Sequence, residues 1–197
     1  MIDPYSHQKI TPPILAYLSS LYLKRSPKFD GIMLALAQLR KSMRVIENSI
    51  TNVCAHESVV VYAPCNLYGC TLEEGVFVGP FCEIQSGVVV GAHTRIQSHS
   101  FICSLVHIGT CCFIGHGVVF INDLFSDGYP SVDSSLWKKT YIGDHVSIGS
   151  NATILPVHIC AHVVIGAGSV VSKDIDKSGI YAGNPARFLR DLPCKLG

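Results

Sequence analysis

Residues 72–120 read LEEGVF VGPFCE IQSGVV VGAHTR IQSHSF ICSLVH IGTCCF IGHGVV F when broken every six residues. The first residue of each group is large and apolar: Leu72, Val78, Ile84, Val90, Ile96, Ile102, Ile108, Ile114 and Phe120. With 48% of the chain apolar, nine such positions in a row arise by chance on the order of once in 700, so the period belongs to the fold. Four residues after each lead stand Val76, Cys82, Val88, Thr94, Ser100, Val106, Cys112 and Val118, all small or β-branched. Gly79, Gly91, Gly109 and Gly115 directly follow leads, where glycine suits a turn with a special backbone angle. After an interruption the period resumes at Ile142, Ile148 and Ile154, and then, past a five-residue step at Leu155-Pro156-Val157-His158, at Ile159, Ile165 and Val171.

A helix has no use for a period of six, since its turn takes 3.6 residues. Three short flat strands of six residues each make one triangular turn of a solenoid, with the leads stacked up the inside. The expectation is an all-β solenoid of about five coils from residue 72, roughly 4.8 Å apart and on the order of 25–30 Å tall. Residues 51–71, with Val60, Tyr62 and Cys70, add a less regular first coil. Cys70, Cys82 and Cys112 fall on the small inward phase and read as filling. Nine cysteines without a C-x-x-C pair do not describe a disulfide scaffold.

Outside the repeat, residues 12–46 read as helical. Ile14, Leu18 and Leu21 line one face, and Ile32, Leu36, Leu39 and Met43 another, after a break at Ser26-Pro27, with Asp30 as N-cap. Lys24, Arg25, Arg40, Lys41 and Arg44 form a solvated face, and the segment would cover an open end of the stack. The organisation expected is a helical segment over 1–50, a β-helix over 51–176 with an excursion at 122–140, and a tail over 177–197. The chain of 197 residues has a net charge of +1, which excludes disorder by composition and argues against nucleic acid as a partner. No stretch spans a bilayer and the N-terminus lacks a signal pattern, so the expected setting is cytoplasmic, with no membrane partner.

Three segments carry a resemblance: Gly79-Pro80-Phe81-Cys82-Glu83-Ile84-Gln85, Ile96-Gln97-Ser98-His99-Ser100-Phe101-Ile102-Cys103, and the run from Ile114-Gly115-His116 to Phe120-Ile121-Asn122-Asp123. The ending adds Ile165-Gly166-Ala167-Gly168-Ser169 and Ala182-Gly183-Asn184-Pro185-Ala186-Arg187. Together they resemble the hexapeptide-repeat acyltransferases, and within them the N-acetyltransferases of nucleotide-linked amino sugars. The resemblance implies a left-handed parallel β-helix, a homotrimer with sites between subunits, acetyl-CoA as donor, and a UDP- or dTDP-linked deoxyamino sugar as acceptor. It also implies a place in surface-polysaccharide (lipopolysaccharide) synthesis.

The site residues follow from combining pattern and resemblance. Residues 122–140 break the repeat and hold the only Trp and the only two Lys of the central region, which marks a functional loop. In the resembled family the Asn of the Phe-x-Asn segment lines the substrate site, which points to Asn122. A His in a setting like that of His116 acts there as general base, an imidazole being suited to the task. Glu83, Gln97, His99 and Asp123 are candidates for the acceptor side. Gly166, Ala167, Gly168 and Ser169 offer a wall without bulk for the pantetheine arm. Lys173, Arg187 and Arg190 restore positive charge for the CoA phosphates, in a chain with seven basic residues in 1–47, three in 48–170 and five in 171–197. His93, His107, His145, His158 and His162 fall at scattered phases and receive no role.

Three other readings compete. A zinc enzyme of this fold would carry His-x4-His, whereas the nearest pair, His158 and His162, is spaced His-x3-His, so no metal is expected. A non-catalytic assembly module would keep the repeats but need neither loop nor basic ending. Within enzymes, the alternative is O-acetylation of a sugar or serine hydroxyl, where a base is obligatory because an alcohol is the poorer nucleophile.

Overall fold

The computed structural model describes residues 49–193. The helices expected over 12–46, with their basic face and covering role, lie outside the described residues, as do residues 194–197 of the tail.

Each six-residue group supplies a short strand that ends on its lead, as in Glu83–Ile84, Val89–Val90 and Arg95–Ile96. Neighbouring residues of a strand point to opposite sides, so the lead turns inward and the residue before it turns out. Three such strands, joined by tight corners, complete one coil, and each strand hydrogen-bonds to its equivalents in the coils above and below. The result is three parallel sheets of seven, six and eight strands, one on each side of a triangular prism. The first face climbs from Ile50–Thr51 through Glu83–Ile84 to Val170–Val171. The second runs from Cys54–Ala55 to His158–Ile159, and the third from Val60–Val61 to Gly179–Ala182, where Arg187–Arg190 folds back antiparallel.

Ile84 pairs with Ile102, so a regular coil takes 18 residues. Ile108 pairs with Ile142, so the coil holding the excursion takes 34 without losing register. Ile142 pairs with Ile159: the five-residue step shortens one coil by a residue and keeps the leads aligned. Leu67 pairs with Ile84 through a similar shortening near the base. The first coil is the less regular one expected: Ile50 pairs with Leu67 and Val61 with Val78, one residue short of the regular 18, and Ile50 and Val60 are exposed.

The leads from Leu72 to Val171 are at most 2% exposed, and burying each such side chain is worth roughly 1.5–3 kcal/mol. The small phase completes the interior. Cys70, Cys82 and Cys112 are buried filling, as expected, and burial pushes the Cys82 thiol up to about 11. Two buried hydroxyls stitch coils together. Thr94 Oγ1 donates to the Gly109 carbonyl (2.9 Å) and accepts from the Cys112 N–H (3.0 Å), while Ser100 Oγ donates toward the carbonyls of Gln97 and Gly115.

Two sequence expectations need correction. Gly79, Gly91, Gly109 and Gly115 do not adopt left-handed angles; they are small because the next coil passes against them. A Cβ on Gly91 would stand 2.6 Å from the Gly109 carbonyl carbon, and one on Gly115 2.7 Å from the Ile148 carbonyl oxygen. The left-handed residue is the third after the lead, at Gly75, Phe81, Gly87, His93, His99 and onward. The histidines are consequently not scattered. His93, His145 and His162 occupy that corner position on the edge between second and third faces, where His is among the better tolerated residues, and the rings of His145 and His162 stack at 4.9 Å. His107 and His158 stand outward on the second face, each just before a lead.

Candidate functional site

The candidate residues divide between two edges of the prism. On the edge where the third face turns into the first lie Gln97, His99, His116 and Gly166 to Gly168, each within three residues of a third-face lead. His116 is exposed, and its Nδ1 lies 2.9 Å from Ser98 Oγ one coil below. With the proton on Nδ1 and donated to Ser98, Nε2 is left holding the lone pair, the state a general base requires. His99, also exposed, stacks on Phe81 of the coil below at 4.9 Å and 16°.

On the edge between first and second faces, polar groups run up a connected column. Gln85 Nε2 donates to Glu83 Oε1 (3.0 Å), and Gln85 Oε1 accepts from the Ser104 N–H (3.2 Å). Asn122 Nδ2 donates to the Ser104 carbonyl (3.2 Å), so its amide is held from below. Among the described residues its Oδ1 accepts no hydrogen bond, which leaves that oxygen for a substrate N–H. The excursion opens at Asn122 and closes where the Lys138 N–H donates to the Asn122 carbonyl (2.8 Å). Asp123 organises this loop, its two oxygens accepting from the N–H groups of Phe125 (2.9 Å) and Ser131 (2.7 Å). Both of those contacts are structural, so an acceptor-binding role for Asp123 would have to share a carboxylate already spent on the loop.

His116 and Asn122 thus flank the first face from opposite edges and do not meet within one chain. The donor candidates divide as well. Gly166, Ala167 and Gly168 turn the upper third–first edge; Gly168 has φ +67° with open space where a Cβ would be, so a thin chain can lie against it. Ser169 corrects the expectation: it is 1% exposed, on the inward small phase, and its Oγ accepts from the Gly183 N–H (3.1 Å), so it cannot line a cofactor groove. Lys173 lies on the other edge, beyond Val170–Val171, while Arg187 and Arg190 are exposed on the closing strand of the third face, Arg187 opposite Ala182. Arg187 stands near the glycine turn, since a Cβ on Gly166 would meet Ala182, whereas Lys173 does not, and Arg190, paired with Ile180 and with its carbonyl beside Gly179, lies at the other end of the closing strand.

Two hollows along these edges are each too small for a nucleotide sugar or CoA. The one inside the loop, lined by Asp123, Leu124, Tyr129, Leu136 and Lys138, measures about 170 Å³, and a groove beside Phe81 about 280 Å³, against the roughly 300–1,000 Å³ of ordinary ligand pockets. Leu124, Phe125, Tyr129 and Val132 of the loop are exposed, Val132 completely. Among the described residues no group of three or more His, Cys, Asp or Glu is placed to hold a metal ion, and no helix is long and apolar enough to cross a membrane. Ser98, Gln85 and Ser104 are the members of these edges that the sequence did not single out. The 18-residue spacing of Ser98 and His116 was the available signal.

Comparison with known proteins agrees with this architecture. Residues 69–104 match the family model of the bacterial transferase hexapeptide (six repeats), and residues 139–173 that of the hexapeptide repeat of succinyl-transferase. Both matched stretches are hexapeptide repeats. It is 33% identical over 113 residues to a probable macrolide acetyltransferase of Lysinibacillus sphaericus, covering 47% of this chain and 63% of that one. The chain spans less than two thirds of the length of the curated relatives it matches. Two solved structures share the fold. A variant of AntD, an N-acyltransferase from Bacillus cereus in complex with dTDP and coenzyme A, superposes with TM-score 0.56 at 21% identity, covering 81% of this chain and 90% of that one. A variant of perosamine N-acetyltransferase from Caulobacter crescentus, in complex with CoA and GDP-perosamine, gives 0.50 at 20%, covering 73% and 58%.

Proposed function

We propose that this protein is an acetyl-CoA-dependent N-acetyltransferase acting on the amino group of a nucleotide-linked deoxyamino sugar. It works in the cytoplasm as a homotrimer, in the synthesis of a surface polysaccharide. The observation that carries the reading is the division of the site. A Ser98-supported imidazole and a glycine turn share one edge, and a held carboxamide at the mouth of a long loop occupies another. Three copies around an axis set the loop edge of one against the His116 edge of the next, which also covers the exposed apolar residues of the loop. The bound ligands of the two structural neighbours, CoA with dTDP and CoA with GDP-perosamine, support the choice of substrates.

Acetyl-CoA supplies an acetyl thioester, whose C–S bond breaks as the C–N bond to the amine forms. Asn122 Oδ1 accepts an N–H of the neutral amine and aims its lone pair; such positioning is worth several orders of magnitude in rate. His116 Nε2 takes the proton that the nitrogen sheds on acylation, and the imidazolium is steadied by Ser98 Oγ. The glycine turn gives the pantetheine arm a surface without side chains, and Arg187 meets the phosphates.

A second reading has an observation of its own. An imidazole fixed by a hydroxyl partner is what a hydroxyl acceptor would demand. Following free-thiol release from acetyl-CoA against UDP- and dTDP-linked 3-amino and 4-amino sugars, with matching hydroxyl acceptors, separates them. Release with one amino sugar is expected. Release with hydroxyl acceptors alone transfers the assignment to O-acetylation, and silence with no acetyl-CoA binding by calorimetry leaves only an assembly module.

A further inference from the structure

We infer that Phe81, stacked on His99, is the platform on which the base of the acceptor nucleotide lies. This rests on the nucleotide-sugar reading above. Above the first corner, the fold imposes a left-handed residue at five successive corners of the third–first edge: Phe81 (φ 62°), His99 (64°), Gly117 (65°), Asn151 (58°) and Gly168 (67°). Gly, Asn and His tolerate that angle, whereas a bulky side chain is strained there. Leu105 and Cys111 are the comparable cases on the other edges. Phe81 recovers nothing from the core, since it is 57% exposed. Its ring is instead held parallel to the His99 imidazole, which fixes its plane. A strained, exposed and oriented aromatic ring is suited to an incoming flat ring, and stacking of this kind accepts any base.

The neighbouring groups select among bases. The open groove beside Phe81 is lined also by Asn66 and Glu83, which pair across adjacent coils of the first face. A carboxylate accepts an N–H and a carboxamide can donate to the carbonyl next to it. Uracil, thymine and guanine present that edge; adenine and neutral cytosine do not. Position agrees as well. Phe81 lies two coils below Gly117, the neighbour of His116, or about 10 Å along the edge, on the order of what a diphosphate bridges between base and sugar. Gly168 lies two coils above, so acceptor and donor reach His116 from opposite ends.

The test is calorimetry of the full chain with UDP, dTDP, GDP, ADP and CDP, and with acetyl-CoA as a control, beside thermal unfolding. Phe81→Gly relieves the backbone and removes the ring. It is expected to unfold at or above the wild-type temperature and to bind acetyl-CoA unchanged, while its affinity for UDP, dTDP or GDP falls about fivefold or more. Phe81→Trp is expected to keep that affinity and to show emission quenched by the nucleotide. Nucleotide affinity unchanged in Phe81→Gly overturns the proposal, as does ADP binding to the wild type as tightly as UDP, dTDP and GDP. A wild-type chain that binds acetyl-CoA and no nucleotide overturns the nucleotide-sugar reading itself, and this inference with it.

Discussion

The Thr94 hydroxyl shows how single residues hold successive coils. It is fully buried and bonded on both sides, so Thr94→Val keeps the shape and strands the Cys112 N–H. A loss of about 1–3 kcal/mol in urea unfolding is expected. Buried thiols set a pH limit. Burial, outweighing hydrogen bonds to the thiolate, pushes Cys82 and Cys103 up to about 11 from an ordinary 9.0. The unfolded chain releases these protons from about pH 9, whereas the folded chain keeps them until about 11. Stability present below pH 9 is therefore lost as pH rises through that window. Thermal unfolding should show the fall, and a Cys82→Ala/Cys103→Ala chain should show a shallower one. At the candidate site, His116→Ala is expected to lower kcat by about 10²–10⁴, read by thiol release with acetyl-CoA saturating.

At the level of the elements, the six-residue period was legible because the lead position admits only large apolar side chains, and nine leads obey it without exception. The corner angle was not legible from Gly79 or Gly91, since the fold imposes the left-handed turn two residues later and fills it with His, Asn, Phe or Gly alike. Nor was the phase of the first coil, because the short step between Leu67 and Leu72 shifts it. Gly91→Ala tests the revised role of these glycines. A Cβ there meets backbone of the next coil, which cannot yield as a flexible side chain would, and a loss of about 1–3 kcal/mol is expected in the same urea assay. The loop is separable from the stack. Its closing bond, Lys138 N–H to the Asn122 carbonyl, lies at its base. A Gly-Ser linker in place of residues 124–137 should leave the melting temperature within about 4 °C, since loop length costs little, and abolish acetyl transfer.

For the whole molecule, the sequence offers His116 and Asn122 as candidates only six residues apart, which suggests proximity. In the prism those six residues cross an entire face, and each side chain is left at its own edge with half of the proposed site. Reading that division required the three-sided geometry, which no local spacing contains. The central claim is that a complete site forms only where two copies meet, and hybrid assemblies test it. His116→Ala and Asn122→Ala chains, each inactive alone, are unfolded, mixed in equal amounts and refolded together, and thiol release is compared with the wild type. If each site takes His116 from one copy and Asn122 from its neighbour, random mixing restores about a quarter of wild-type activity. If the mixture stays as inactive as its components while refolded wild type recovers fully, the two residues do not act across a shared interface, and the account is contradicted.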